Sequence, residues 1–376
     1  MTAPTISKIE IHGFDWTLQG MTRGRAAHYD PDSSFTREYS AIRIHADNGA
    51  IGEYAGMGGS ARPLIDYAGS YIGTNALDRE IHYQRGKAGS EMAAFDLALW
   101  DLAGKMADMP VHAMLGTYRR SVPCYASTID GAIKGPLSTP ETYADFAQQC
   151  HEMGYQAFKI HPFSWPDVKT HIEAVLQIGD RVGDTTDMML DSYCFYETFA
   201  DAVKVGRACD EAGFYWYEDP YSDGGVTNFS HQRLREMLKT LILQGEKVKT
   251  VEQRMDMILQ GATDLIRGDV GMQGLTGTMK LAHAAESVGL DIEPHGSGPA
   301  QLHFMAATKN ANYYEVVWVH PNIESFNPPI HKNMDVNTLG CIDGDGMLTV
   351  TDDPGFGVEY DWDFIARNST GMVAVE

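Results

Sequence analysis

Ser138-Thr-Pro-Glu-Thr-Tyr-Ala-Asp-Phe-Ala-Gln-Gln-Cys-His-Glu-Met-Gly-Tyr-Gln-Ala-Phe-Lys-Ile160 carries one full structural unit. A hydroxyl residue just before a proline starts a helix, because its oxygen accepts an orphan N–H and the fixed φ of proline suits the first turn. Tyr143, Phe146, Ala147 and Cys150 recur at helical spacing and make one apolar stripe. Gly154 stops the helix, and Ala157–Ile160 reads as a short buried strand.

The same rhythm runs outward from that unit. Val122–Ala126 precedes it, and Asp187–Leu190, Gly213–Tyr217, Thr240–Leu243, Asp264–Arg267, Leu290–Glu293 and Tyr313–Val317 follow, with amphipathic stretches between them. Eight strands alternating with helices predict an α/β fold with a parallel (β/α)8 barrel over residues 122–334. Upstream, Ile6–His12 and Tyr39–Ala46 alternate with period two, and Asp47-Asn-Gly49 predicts a hairpin turn into Ile51–Glu53. The polar stretch Gln19–Arg37 has no period and reads as a long loop. From Pro63 the pattern becomes helical, and Ala- and Leu-rich Ser90–Lys105 predicts a helix packed on most sides. The Gly- and Asp-rich tail from Val336 is expected to rejoin the N-terminal β region.

Composition bounds the function. The 376 residues are 43% hydrophobic, enough for a sizeable core, which excludes global disorder. Lys+Arg number 29 against 51 Asp+Glu, and with no basic run of five or more, nucleic acid is not an expected partner. Five scattered cysteines without CxxC spacing suggest reduced thiols in a cytoplasm. Neither a secretory signal nor an apolar run near the roughly 20 residues of a membrane span is visible, so a soluble cytoplasmic protein is expected.

Chemistry in such a barrel gathers at the C-terminal ends of strands. Those ends carry Lys159 and His161, then Asp191, Glu218, Glu246, Asp269, His295 and Glu315, spaced from 20 to 32 residues apart from Lys159 onward. One carboxylate after an apolar strand is usually a helix cap or a solvated side chain. Seven consecutive strands ending in an ionisable residue are not so explained. Asp191, Glu218 and Glu246 would converge, and hard oxygen donors without Cys or His suit Mg²⁺. Unscreened, they would repel one another, so a cation is expected among them. Lys159 and His161, two apart, point to the same side. Beside Lys159⁺ the His161 imidazole should favour its neutral form. Asp269 on the neighbouring strand would fix the tautomer of His295.

This order resembles the enolase superfamily, in its mandelate racemase/muconate lactonizing enzyme-like branch. Phe158-Lys-Ile-His161 stands where that branch has Lys-x-Lys, and Leu190-Asp191, Tyr217-Glu-Asp-Pro220 and Gly245-Glu246 match its metal-ligand strands. Gly268-Asp269, Glu293-Pro-His-Gly296 and Tyr314-Glu315 match its Asp-His dyad and last acidic residue, and Ala94–Lys105 resembles its linking helix. His161 departs from the second lysine of the pattern, and Tyr193 from a polar residue, often Asn, that can touch substrate. The resemblance implies a modified barrel capped by an α+β domain built from residues 1–121 and the tail 335–376. It also implies a loop over the barrel mouth, where Arg23, Arg25, His28 and Tyr29 become candidate substrate contacts with Tyr193 and Trp318.

What it further implies is an Mg²⁺-dependent lyase of carbohydrate catabolism acting on a small carboxylate, and a homo-oligomer is expected. Lys159, His161, Asp269, His295 and Glu315 would be catalytic, and Asp191, Glu218 and Glu246 would hold the metal. The first expectation is an acid-sugar dehydratase. It would remove the proton α to the carboxylate and expel the β-hydroxyl, giving a 2-keto-3-deoxy acid. A racemase, epimerase or cycloisomerase would use the same enediolate. A non-catalytic barrel has no need of the bases, and a nicotinamide-dependent reductase is disfavoured because no strand is followed by GxGxxG.

Overall fold

The computed structural model describes residues 4–23, 27–86, 91–132, 134–161, 163 and 167–376. Strands β1 (Ile6–Arg23), β2 (Ala27–Ala46) and β3 (Ile51–Gly58) form an antiparallel sheet, with the hairpin at Asp47-Asn-Gly49 and Gly49 at φ 87°. Helices α1 (Arg62–Ala68), α2 (Arg79–Gly86), α3 (Glu91–Ala107) and α4 (Val111–Leu115) follow. As its composition predicts, α3 is sheathed in protein: Phe95, Leu97, Ala98, Leu99 and Leu102 are fully buried. The sheet lies so close on it that a Cβ at Gly52 would meet the Ala98 carbonyl at 2.1 Å.

One expectation fails here. The described residues of Gln19–Arg37, 19–23 and 27–37, are not a loop: β1 and β2 continue as a paired ribbon, with Leu18 opposite Phe35, Gln19 opposite Ser34 and Met21 opposite Tyr29. Polar residues obscure its alternation, because one face of the ribbon meets water. The other face buries Leu18 and Met21 against Ile129 and Phe326, which is what holds the ribbon in place. Gly20, at φ 74°, accommodates the register shift between Gln19 and Met21.

The barrel alternates β4 (Ser121–Thr128), α5 (Pro140–Glu152), β5 (Ala157–Ile160), α6 (Val168–Val182), β6 (Asp187–Asp191), α7 (Phe199–Ala212), β7 (Trp216–Glu218) and α8 (Asn228–Met237). It continues with β8 (Leu241–Gln244), α9 (Val251–Leu259), β9 (Leu265–Gly268), α10 (Val270–Ser287), β10 (Asp291–Pro294), α11 (Pro299–Ala307) and β11 (Tyr314–Val319). All eight expected strands are present and parallel, ordered β10-β9-β8-β7-β6-β5-β4-β11. Across the seam between the end strands, Asn312 donates to Asp291 and Glu293. Thr139, Thr198 and Thr250 cap α5, α7 and α9 with their hydroxyls, each worth about 1 kcal/mol.

Period-two alternation divides each strand between two cores. Phe158, Ile160, Leu190, Tyr217, Ile242, Ile266 and Ile292 face out and pack under the helices. Tyr125, Ala157, Met189, Trp216, Leu243 and Leu265 face in and plug the lower barrel. After the barrel, β12 (Met347–Thr349) pairs with β4, α12 (Trp362–Arg367) follows, and β13 (Ser369–Val375) pairs antiparallel with β1, Ile9 opposite Val375. All five cysteines are free thiols. Among the described residues no helix is long and apolar enough to cross a membrane.

Candidate active site

Two residues beyond the apolar plug, the same inward parity delivers Lys159 above Ala157, Asp191 above Met189, Glu218 above Trp216 and Arg267 above Leu265. Glu246 would fall on the outward parity of β8. Gly245, at φ 113°, turns the backbone there, a conformation that suits glycine, and Glu246 comes inward. One oxygen from each of Asp191, Glu218 and Glu246 lies within 4.8 Å of the others, and all three residues are buried. Hard carboxylate donors without a Cys or His partner fit Mg²⁺.

The chain screens these carboxylates in part by itself. Lys159 Nζ lies 3.4 Å from Asp191 Oδ2, 3.1 Å from Glu218 Oε2 and 2.8 Å from Glu315 Oε1. Arg267 holds both oxygens of Glu218, and Lys247 holds Glu246. Asp219 adds another buried carboxylate beside them. Lys159, Lys247 and Arg267 thus offset part of the charge of Asp191, Glu218, Glu246 and Glu315, while burial and the neighbouring Glu246, Asp191 and Glu218 hold Asp219 well above the usual carboxylate range. Burial works against the Lys159 ammonium, but Glu218 and Glu315 hold its pKa well above the usual lysine value. Burial likewise opposes the Glu315 carboxylate, which Lys159 and Arg267 hold below its ordinary range.

His161 donates from Nδ1 to the Thr128 carbonyl at 2.7 Å, so its Nε2 faces Asp191 Oδ2 at 3.0 Å. Lys159 does not keep it neutral. Burial lowers its pKa, but Asp191 outweighs both burial and Lys159 and leaves it raised. On the facing side, His295 Nδ1 lies 3.1 Å from Asp269 Oδ2, while Asp269 Oδ1 accepts the Met272 N–H and caps α10. One carboxylate therefore fixes both helix and imidazole. Burial opposes protonation of His295, yet Glu246 and Asp269 push its pKa up to about 9. Glu315 joins the two halves, taking Lys159 on Oε1 and the Gly296 N–H, beside His295, on Oε2 at 2.7 Å.

The proposed substrate contacts divide. The Tyr193 N–H donates to Asp191 Oδ1 at 2.8 Å, and its ring lies 4.2 Å from Lys247 Nζ. The Trp318 ring sits edge-on to His161, centroids 6.3 Å apart. His28 bridges to Asp130 at the barrel rim and Tyr29 stacks on His320 at 4.5 Å, so both dock the ribbon onto the barrel. Arg23 ends β1 exposed, and Arg25 lies outside the described residues. Sequence reasoning missed Arg267, Lys247 and Asp130. The available signal for Arg267 was parity: it lies two residues before Asp269 and two after inward Leu265.

Residues 142–364 match the family described as enolase C-terminal domain-like. The chain is 27% identical to a 3,6-anhydro-alpha-L-galactonate cycloisomerase of Streptomyces coelicolor, over 89% of this chain and 92% of that one. It is 26% identical to an arabinonate dehydratase of Saccharolobus solfataricus, over 73% and 70%. Among solved structures, a D-glucarate dehydratase from Agrobacterium tumefaciens, complexed with magnesium, superposes with TM-score 0.85 and 28% identity, covering 98% of this chain and 99% of that one.

Proposed function

The chain belongs to the enolase superfamily, in its mandelate-racemase-like branch, and from that premise we propose that it is a lyase that dehydrates a sugar acid to a 2-keto-3-deoxy acid. Residues 1–121 and 335–376 act as the cap, and residues 122–334 carry the chemistry. Asp191, Glu218 and Glu246 would hold Mg²⁺, and the bound ion would supply a Lewis acid for the substrate carboxylate. Lys159, fully buried and kept protonated, donates to the oxygen on which negative charge develops as the α-proton leaves. The ribbon β1–β2, packed on Ile129 and Phe326, keeps bulk water from the intermediate.

The observation that carries the reading is the unequal provision for the two histidines. His161 leans on Asp191, a carboxylate it shares with the metal triad, whereas His295, whose Nε2 lies 4.0 Å from Glu246 of the triad, has in addition Asp269, outside the triad, at its Nδ1. An imidazole whose counter-charge is shared gives up its proton more readily than one with its own carboxylate. His161 Nε2 therefore takes the α-proton, and His295 Nε2 delivers a proton to the departing β-hydroxyl. The experiment is a screen of sugar acids with Mg²⁺, scored for 2-keto-3-deoxy product. Formation of an isomer without loss of water would instead select the second reading, a cycloisomerase or epimerase, which the similarity to the anhydrogalactonate enzyme favours.

A further inference from the structure

Beside the site lies a cavity of about 500 Å³, bounded by β1 of the ribbon and by residues 322–338, a size typical of small-ligand pockets. Hydrogen bonds tie its walls to elements that carry the site. Ser297, two residues beyond His295, donates to Asn337 Oδ1 at 2.9 Å, and Asn327 Nδ2 donates to the carbonyl of Val317 at 3.3 Å. Val317 precedes Trp318, whose ring faces His161 on one side and Phe326 on the other. Walls of this cavity are therefore bonded to the loop carrying His295 and to the strand end beside His161.

Its lining mixes apolar side chains, among them Trp16, Leu18, Ile323 and Ile330, with polar ones. Gln19, Asn322, Ser325, Asn327 and Asn337 offer amides and a hydroxyl, groups that can both donate to and accept from polyol hydroxyls. Glu324 and Asp335 add two carboxylates, and Asp335 is fixed in place by the N–H groups of Asn337 and Thr338 at 3.1 and 3.0 Å. Among the described residues no lysine or arginine lines the cavity. Its histidine, His331, is held neutral near pH 7, since burial pushes its pKa down to about 4.

We propose that this cavity receives the distal, hydroxylated end of the substrate and selects sugar monoacids over diacids. A second carboxylate would enter a space lined by the Glu324 and Asp335 carboxylates and, among the described residues, by no lysine or arginine, so charge repulsion disfavours an aldarate where an aldonate is accepted. The inference rests on the reading of the barrel mouth as a sugar-acid site and adds to it the class of acid.

The test pairs six-carbon aldonates with the aldarates of matching configuration, in the Mg²⁺-loaded protein. Calorimetric binding and, separately, kcat/KM for 2-keto-3-deoxy product are measured. The expected result is a preference of tenfold or more for an aldonate in both, and a Glu324→Lys variant that shifts the preference toward aldarates by about tenfold. Turnover of aldarates as good as or better than that of aldonates overturns the cavity assignment and leaves the dehydratase reading standing. Selective aldonate binding without dehydration does the reverse. An unchanged preference in Glu324→Lys and in a second variant, Asp335→Lys, also overturns it.

Discussion

Arg267 grips Glu218 from two strands away: its Nε lies 2.7 Å from Oε1, and its terminal nitrogen bonds Oε2 of the same carboxylate. Both residues are buried, so the pair fixes the angle at which a proposed metal ligand, Glu218, is presented.

Arg267→Lys keeps the charge but loses the planar fork. The expected outcome is Mg²⁺ affinity weakened roughly 10- to 100-fold by calorimetry, the usual cost of losing a group that orients a metal ligand. Unaltered affinity would show that Glu218 is oriented by its strand alone.

Asp269→Asn separates the two duties of that carboxylate. Asparagine caps a helix about as well as aspartate, so α10 and the melting temperature should be nearly preserved. Turnover should drop by about 100-fold or more, because the His295 ring loses its charged partner, while Mg²⁺ affinity stays within a few fold. A variant that melts early and loses metal would point to a structural role only.

Exchange of the α-proton with deuterated solvent, followed by NMR, separates the histidines. His161→Ala should abolish exchange, and His295→Ala should slow loss of the β-hydroxyl while exchange persists. Parental exchange in His161→Ala, with loss of exchange in His295→Ala, reverses the two roles.

Glu293 gives a pH signature independent of the metal. Burial raises its carboxyl to about 7 from an ordinary 4.5. Between those values the unfolded chain releases a proton that the folded one keeps, so this contribution to stability is full below about 4.5 and is lost as pH rises toward about 7. Glu293→Gln, which can still accept from Asn312 or Tyr313, should remove the dependence and gain up to about 3 kcal/mol over the parent at pH 8. Equal melting differences at pH 5 and pH 8 would contradict it.

The barrel was legible because each strand is a short apolar run whose length and flanks identify it, and because the chemistry sits where those runs stop. The ribbon was not, since the alternation of Gln19–Arg37 acquires meaning only once Leu18 faces Phe35 and Met21 finds Ile129. His161 shows a different limit. Sequence supplies Lys159 as its neighbour, whereas Asp191, at 3.0 Å on the next strand, governs its charge. Lys247 was hidden by the turn at Gly245, and Asp130 because β4 runs two residues beyond the expected Ala126.

The pairing of β13 with β1 bears on how the chain is made. At about 5–20 residues per second, β1 waits roughly 20 to 70 s on the ribosome before residues 369–375 emerge to cover its edge. An uncovered strand edge is a template for pairing with other chains. The nascent protein thus carries an open seam, bordered by Ile9 and Ile11, while every barrel strand is being synthesised. Shortening the chain from its C-terminus by eight residues, 369–376, would leave that seam open for good, and the cost would appear first as aggregation during expression.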